Sequence, residues 1–543
     1  MKITPNSLTL NQLLSSTNEQ FTIPPYQRRY SWKSRQIYEL IEDVELVESS
    51  DTHLLGSIVC LTSHHTAGIN NLELVDGQQR LTTISILLEC IRERLVAEEE
   101  NDRASELARL LTTKALGGKA MPKIELESAD GDEFRRLIEN KGIEQDAACQ
   151  NQHLLAAFTI VRSWVDEQTL DALGIFIYKL QNQTLIIRLD VGDAKDAFKL
   201  FETINNRGLR LSPTDIIKNF VLGNAARFGA EQLQEARKSW AILIAHLDGT
   251  DTDAFFRYFL ISATQRRITK SQVVREFKWL FMNEVSEAAR LPDRHLYADE
   301  EEIDENDPDE AIVVEDISIR HEGAAQVTFR EFLHRVVRNA KIFGELVLIR
   351  TGDMRIDRHL RNLRMINATQ TYGFLMHLRT GGVDDKIFIE ILKLTENFIL
   401  RRHVCKERSN ETETLFAKIC SIDSMKPLSE TKAAYRDACP SDEKFRDEFA
   451  NASFTSNIID RARYCLEEIE LSKHGRHSEL QILGPDSVHV EHIIPQKIKT
   501  KRSIDEFGDW TTYLGTKSEI NHPKMVNKIG NLTLFSGFLN ISA

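Results

Sequence analysis

The sequence predicts a multidomain α+β protein, and three observations carry that reading. The chain has 543 residues, which at roughly 150 residues per domain makes three or four domains. Up to about residue 225, short β-branched runs alternate with helical periodicity. Between about 226 and 480 the pattern is almost wholly helical, and β-branched residues return after about 481. The expected organisation is therefore an α/β region over 1–225, a helical middle over 226–480 and a small mixed domain over 481–543. A hydrophobic content of 41% is enough for sizeable cores.

The elements follow in order. Leu72 to Val75 reads as a short strand that meets the turn signal Asp76-Gly77. Leu81, Ile84, Leu88, Ile91 and Leu95 then recur at spacings of three and four, which gives a helix with one apolar face. Thr184 to Leu189 is a second strand. Asp193 to Ile204 is helical and is broken by Asn205-Asn206-Arg207-Gly208. Ser212 is placed as an N-cap, with Pro213 at the first helical position. In the middle, Gln232 to Leu247, Ser271 to Ala288 and Phe329 to Ile349 carry helical periodicity. Nine of the twelve residues from Asp299 to Glu310 are acidic; with Pro308 among them, this stretch is expected to be a disordered loop. Near the end, Val488, Val490 and Ile493 flank a histidine, and Leu532-Thr533-Leu534 reads as a short strand.

Composition excludes several classes. Seven scattered cysteines with no C-x-x-C pair argue against a zinc ribbon or a disulfide framework and fit a reducing cytoplasm. The N-terminal MKITPNSLTLNQLL has no basic region followed by an apolar core, so a signal peptide is not expected. No apolar run approaches the ~20 residues that span a bilayer, so no membrane partner is expected. The net charge of -13 is not that of a bulk electrostatic DNA binder, but much of it sits in the acidic run. Basic clusters at Arg28-Arg29, Arg266-Arg267 and Arg401-Arg402 read as solvated surface. Lys497, Lys499, Lys501 and Arg502 follow the histidine directly and are the cluster expected to touch phosphate.

The C-terminal chemistry lies in Val490-Glu491-His492-Ile493-Ile494-Pro495-Gln496, then Gly530-Asn531-Leu532-Thr533-Leu534, then Asn540. Phosphodiester hydrolysis needs a base for water, a cation for the developing charge and a held backbone. His492 can be the base, since imidazole as a group titrates near neutral pH. Glu491 and the amide oxygen of Asn540 can offer hard oxygens to Mg²⁺ or Mn²⁺. Asn531 can tie the loop by hydrogen bonds to its backbone. His489, one strand period away, is a further candidate. Taken alone, His492 would read as a structural histidine; the full pattern gives it weight.

At the other end, Val75-Asp76-Gly77-Gln78-Gln79-Arg80 lies between a strand and a helix. Unpaired N–H groups at a helix start suit phosphate, and Arg80 adds a fork of donors. Gln78 and Gln79 can orient a water or meet a base edge. The plain alternative is a capped surface turn. Two further runs favour a site. One is Ile23-Pro24-Pro25-Tyr26-Gln27-Arg28-Arg29-Tyr30-Ser31-Trp32, with Trp32 also fit for core packing. The other is Phe201-Glu202-Thr203-Ile204-Asn205-Asn206-Arg207-Gly208-Leu209.

The C-terminal pattern resembles the HNH (ββα-metal) nucleases, and in particular the C-terminal DUF1524 domain of the GmrSD-type modification-dependent restriction enzymes. The three N-terminal runs resemble DUF262, the N-terminal half of the same enzymes, which is related to the ParB/sulfiredoxin-like fold. The likeness covers about 225 residues at one end and 60 to 140 at the other. It implies His492 as general base, Asn531 as a brace of the catalytic loop, and Glu491 and Asn540 on the metal side. It also implies nucleotide binding and hydrolysis at Asp76, Gly77, Gln78, Gln79 and Arg80, with Gln79 and Arg80 on the catalytic side. Tyr26, Gln27, Arg28, Asn205, Asn206 and Arg207 join the nucleotide site. The nucleotide is ATP, GTP or UTP. In the family a helix continues past the last asparagine. Here Ala543 follows Asn540 by three residues, so a truncated or otherwise supported nuclease site is expected.

The reading is a nucleotide-regulated DNA endonuclease of anti-phage defence, acting on modified or foreign DNA. The alternative is a nucleotide-responsive DNA-binding regulator with an inactive nuclease domain. A nuclease acting on RNA is the third. The oligomeric state is open, with a homodimer among the arrangements.

Overall fold

The computed structural model describes residues 3–48, 51–62, 68–114, 118–127, 130–138, 149–205, 212–288, 326–423, 425–474 and 487–536. The acidic run at 299–310 lies outside them. The chain forms two compact units that do not follow the sequence boundaries near 225 and 480. One is Met1–His246 with Val274–Val337, the other Leu247–Val273 with Arg338–Ala543. The predicted helical middle is thus shared between them.

The first unit is built on a mixed sheet. Its strands are β1 (Ile3–Thr9), β2 (Glu19–Ile23), β3 (His53–Thr62), β4 (Asn70–Asp76), β7 (Ile124–Leu126) and β8 (Thr184–Val191), in the order β1-β8-β3-β4-β2-β7. β5 (Thr112–Lys114) and β6 (Ala120–Pro122) pair separately. β3 runs parallel to β8 and antiparallel to β4, and β2 is parallel to both β4 and β7. The register of β3 shifts against β8 at Gly56, and against β4 between Val59 and Cys60.

The Gln78–Ala97 helix starts where β4 ends. All five positions that predict its apolar face are buried, but so are Thr82, Thr83, Ser85, Ile86, Leu87 and Glu89. The helix is buried nearly all round, not on one face, because the helices Asn101–Leu111 and Gln152–Glu167 pack on it as well. Its buried Glu89 is met by Arg92 Nε at 2.9 Å. Aromatic packing ties the unit's later helices together: the Phe220 and Phe281 rings are 5.1 Å apart, and those of Phe281 and Phe332 are 5.3 Å apart.

The second unit is mostly helical and ends in a two-stranded ribbon. Phe398 and Tyr435 stack at 4.2 Å between the helices Asp385–Val404 and Pro427–Ala438. The ribbon pairs β9 (Val488–His492) with β10 (Leu532–Ser536), antiparallel, with His492 opposite Leu532. Leu532 joins Phe454 and Ala462 in a small core, and Val490 packs against it. Among the described residues, no helix is long and apolar enough to cross a membrane.

Candidate functional site

β4 enters the Gln78–Ala97 helix through Gly77. Gly77 has φ 96°, and a Cβ there would lie 2.4 Å from Ile58 Cγ2. The turn needs glycine both for its left-handed backbone and for its closeness to β3. The first helical bond is Leu81 N–H to Gly77 O at 3.1 Å, which leaves the amides of Gln78, Gln79 and Arg80 without acceptors inside the helix. Arg80 Nη1 donates to Ser57 O at 2.9 Å. Its guanidinium lies over Gly56, where a Cβ would come within 2.9 Å of Nη2. Burial pulls the Arg80 pKa below its ordinary value, and the neighbouring Asp76 acts against that shift.

The Tyr26–Trp32 run wraps this turn. Gln78 Nε2 donates to Arg28 O at 2.7 Å. Gln79 Oε1 accepts from Ser31 N–H at 2.8 Å, and its Nε2 donates to Arg29 O at 3.3 Å. Gln27 Nε2 donates to Val75 O at 3.0 Å. Tyr26 is buried, and its hydroxyl donates to Glu73, which Arg237 Nη2 also meets at 2.7 Å. Tyr26, Gln27, Gln78 and Gln79 therefore hold the turn in shape, and Arg28 is half exposed beside them. Asn205 ends the Ala194–Asn205 helix; its side chain, Asn206 and Arg207 lie outside the described residues.

Sequence reasoning missed two members of this cluster. Lys218 Nζ donates to Gln27 Oε1 at 2.5 Å and lies 3.5 Å from Asp215 Oδ1. Arg28 Nη1 lies 3.4 Å from Asp215 Oδ2, and Ser212, the N-cap, donates to the same oxygen at 3.0 Å. Burial pushes the Asp215 carboxyl up, but Lys218 and Arg28 outweigh it and hold the pKa below its ordinary value. Burial holds the Lys218 pKa down despite Asp215. The signal was an Asp and a Lys three apart on one helix face, legible only as an ordinary pair until Gln27 supplied the third corner.

In the second unit, His492 is the last residue of β9. Its Nε2 lies 3.1 Å from Asn527 Oδ1 and 3.3 Å from Gln496 Nε2. Asn531 is buried and clamps the loop that follows: Oδ1 accepts from Ile494 N–H at 2.8 Å, and Nδ2 donates to Ile494 O at 3.1 Å and to Val526 O at 2.8 Å. Alternation along β9 puts His489 and Glu491 on the face opposite Val490. Lys497, Lys499, Lys501 and Arg502 are exposed, with Lys499 Nζ 2.6 Å from Glu519. The other basic clusters are not simply solvated: Arg29 meets the fully buried Asp130 at 2.6 Å, and Arg402 is itself buried.

Among the described residues, no three His, Cys, Asp or Glu side chains gather into a metal cluster. A hard cation that keeps several waters and binds substrate phosphate needs only one or two protein carboxylates, and Glu491, next to His492 on β9, is the carboxylate beside that imidazole. Asn540 lies outside the described residues.

Comparison with known proteins agrees at both ends of the chain. The N-terminal domain of the GmrSD restriction endonucleases matches residues 10–222, and the C-terminal domain of the same enzymes matches residues 439–543. No curated protein matches the chain. With both domains matched, in order and over more than half of its length, the chain belongs to the GmrSD restriction endonuclease family.

Proposed function

We propose that the chain is a nucleotide-regulated DNA endonuclease of anti-phage defence that acts on modified or foreign DNA through a metal-dependent site around His492. The family supplies the coarse part, a restriction-type nuclease with DNA as its partner. The finer part rests on one observation above all: the imidazole of His492 ends a strand whose following loop is clamped by the buried Asn531. We read the β9–β10 ribbon as the two strands of a ββα-metal domain, and the mixed sheet as ParB/sulfiredoxin-like.

In this reading His492 takes the proton of the attacking water. A divalent cation held by Glu491 and Asn540 would neutralise charge developing on the phosphate. Lys497, Lys499, Lys501 and Arg502 hold the DNA backbone, which lacks base information and makes binding salt-dependent. At the other end, the first-turn amides of the Gln78–Ala97 helix, with Arg80 and Arg28, receive the nucleotide phosphates. Hydrolysis there, with Gln79 and Arg80, lets the nucleotide state bias the nuclease between two conformations. Control of this kind spares the host's own DNA.

Nicking of plasmid and phage DNA in Mg²⁺ and in Mn²⁺ by wild type and His492→Ala tests the site. Loss of nicking in the variant is expected. Equal nicking by both would sink the assignment and favour a regulator whose nuclease is inactive.

A further inference from the structure

We infer that Asn527 orients the His492 ring and fixes its tautomer, and is a positioning residue for the hydrolysis proposed above, on which this inference rests. Asn527 Oδ1 is 3.1 Å from His492 Nε2. An amide oxygen only accepts, so this bond fixes the tautomer with hydrogen on Nε2 and leaves the lone pair on Nδ1, free to take a proton from water. Gln496 Nε2 lies 3.3 Å from the same nitrogen, but an amide nitrogen only donates and needs the opposite tautomer. The two contacts exclude each other.

The surroundings decide for Asn527. Gln496 is exposed, whereas Asn527 is partly buried on backbone tied at several points. Its carbonyl accepts from Phe454 N–H at 2.7 Å, Val526 N–H donates to His522 O at 2.9 Å, and Lys528 N–H donates to Met525 O at 3.0 Å. Asn531 then joins the two sides of the pair. The same amide that grips Ile494, two residues after His492, donates to Val526 O, one residue before Asn527. The imidazole and its acceptor are thus fixed by one buried side chain.

The test is steady-state DNA nicking in Mg²⁺ by the full chain, for wild type, Asn527→Leu, Asn527→Asp and His492→Ala. Asn527→Leu is expected to lose roughly tenfold or more in kcat with KM for DNA unchanged. Asn527→Asp keeps an acceptor and adds a charge. It is expected to remain active, because the acceptor that orients the ring is still there. Wild-type kcat in Asn527→Leu, or a loss in Asn527→Asp as large as in Asn527→Leu, overturns the inference while a dead His492→Ala leaves the nuclease reading standing. Wild-type cleavage by His492→Ala removes both. Nitrogen-15 spectra of histidine-labelled wild type give a check that needs no variant to fold: a proton on His492 Nε2 is expected, and a proton on Nδ1 overturns the assignment.

Discussion

Asn531 holds Ile494 by both of its backbone groups, accepting from the N–H at 2.8 Å and donating to the carbonyl at 3.1 Å. A third bond, to Val526 O, uses the remaining amide hydrogen. Asn531→Ala would strand three partly or fully buried groups. The expected cost is roughly 2–4 kcal/mol in unfolding free energy, together with loss of nicking. Asn531→Asp keeps the acceptor and loses both donors, so it should fall between wild type and Asn531→Ala. Denaturant unfolding of the three proteins checks this order, and an Asn531→Ala curve that overlays wild type would contradict it.

Gly77→Ala should disturb the turn twice. The positive φ costs about 1–3 kcal/mol for a residue with a Cβ, and the 2.4 Å approach to Ile58 Cγ2 adds an overlap. Adding Ile58→Ala removes the 2.4 Å contact but leaves Ile58 Cβ at 3.1 Å, the φ strain and a new cavity, so the double variant should not return to wild-type stability. Binding of ATP, GTP and UTP by calorimetry is expected to weaken in Gly77→Ala. Unchanged stability and unchanged binding would show that the turn tolerates a side chain.

The Lys218–Asp215 pair is buried and serves Gln27 as well. Lys218→Met leaves Asp215 charged with Arg28, half exposed, as its remaining cation. The expected loss is roughly 3–5 kcal/mol, as for one partner removed from a buried ion pair. Asp215→Asn in the Lys218→Met background should recover part of it. If the double variant is the less stable of the two, the pair is not the unit that matters.

His403 gives an acid sensitivity with a clear sign. Burial first, then Arg461 and Arg402, push its pKa down to about 4 from 6.5. The unfolded chain therefore takes up the proton first as pH falls. Stability from this group is complete above 6.5 and is lost progressively down to about 4, by at most about 3 kcal/mol. His403→Gln should flatten that part of the stability curve. Unfolding midpoints measured across the window check it, and an unchanged slope in the variant would assign the acid sensitivity elsewhere.

What was legible in the sequence was local. Leu72 to Val75, the Gly77 turn and the five apolar positions from Leu81 to Leu95 sit in the strand, turn and helix they predict, because turn chemistry and periodicity act over a few residues. Leu532-Thr533-Leu534 likewise falls within β10. The rest depends on distant contacts. Periodicity showed one apolar face where two further helices bury nearly the whole Gln78–Ala97 surface. Lys218 meets Gln27 across 191 positions, and Asn527 meets His492 across 35, so neither could be read as part of a site from spacing alone. Arg29 and Arg402 looked like surface charge because nothing nearby in sequence announced Asp130 or the packing around the Asp385–Val404 helix.

We propose that a nucleotide bound at one end of the chain controls DNA cleavage at the other. The most direct measurement is the nicking rate of plain and modified phage DNA in Mg²⁺, with and without ATP, GTP or UTP, by wild type and Arg80→Ala. One of the nucleotides should change the wild-type rate on at least one substrate, and Arg80→Ala should lose that response while still nicking. Equal rates with and without every nucleotide, on both DNAs and in both proteins, would contradict the account.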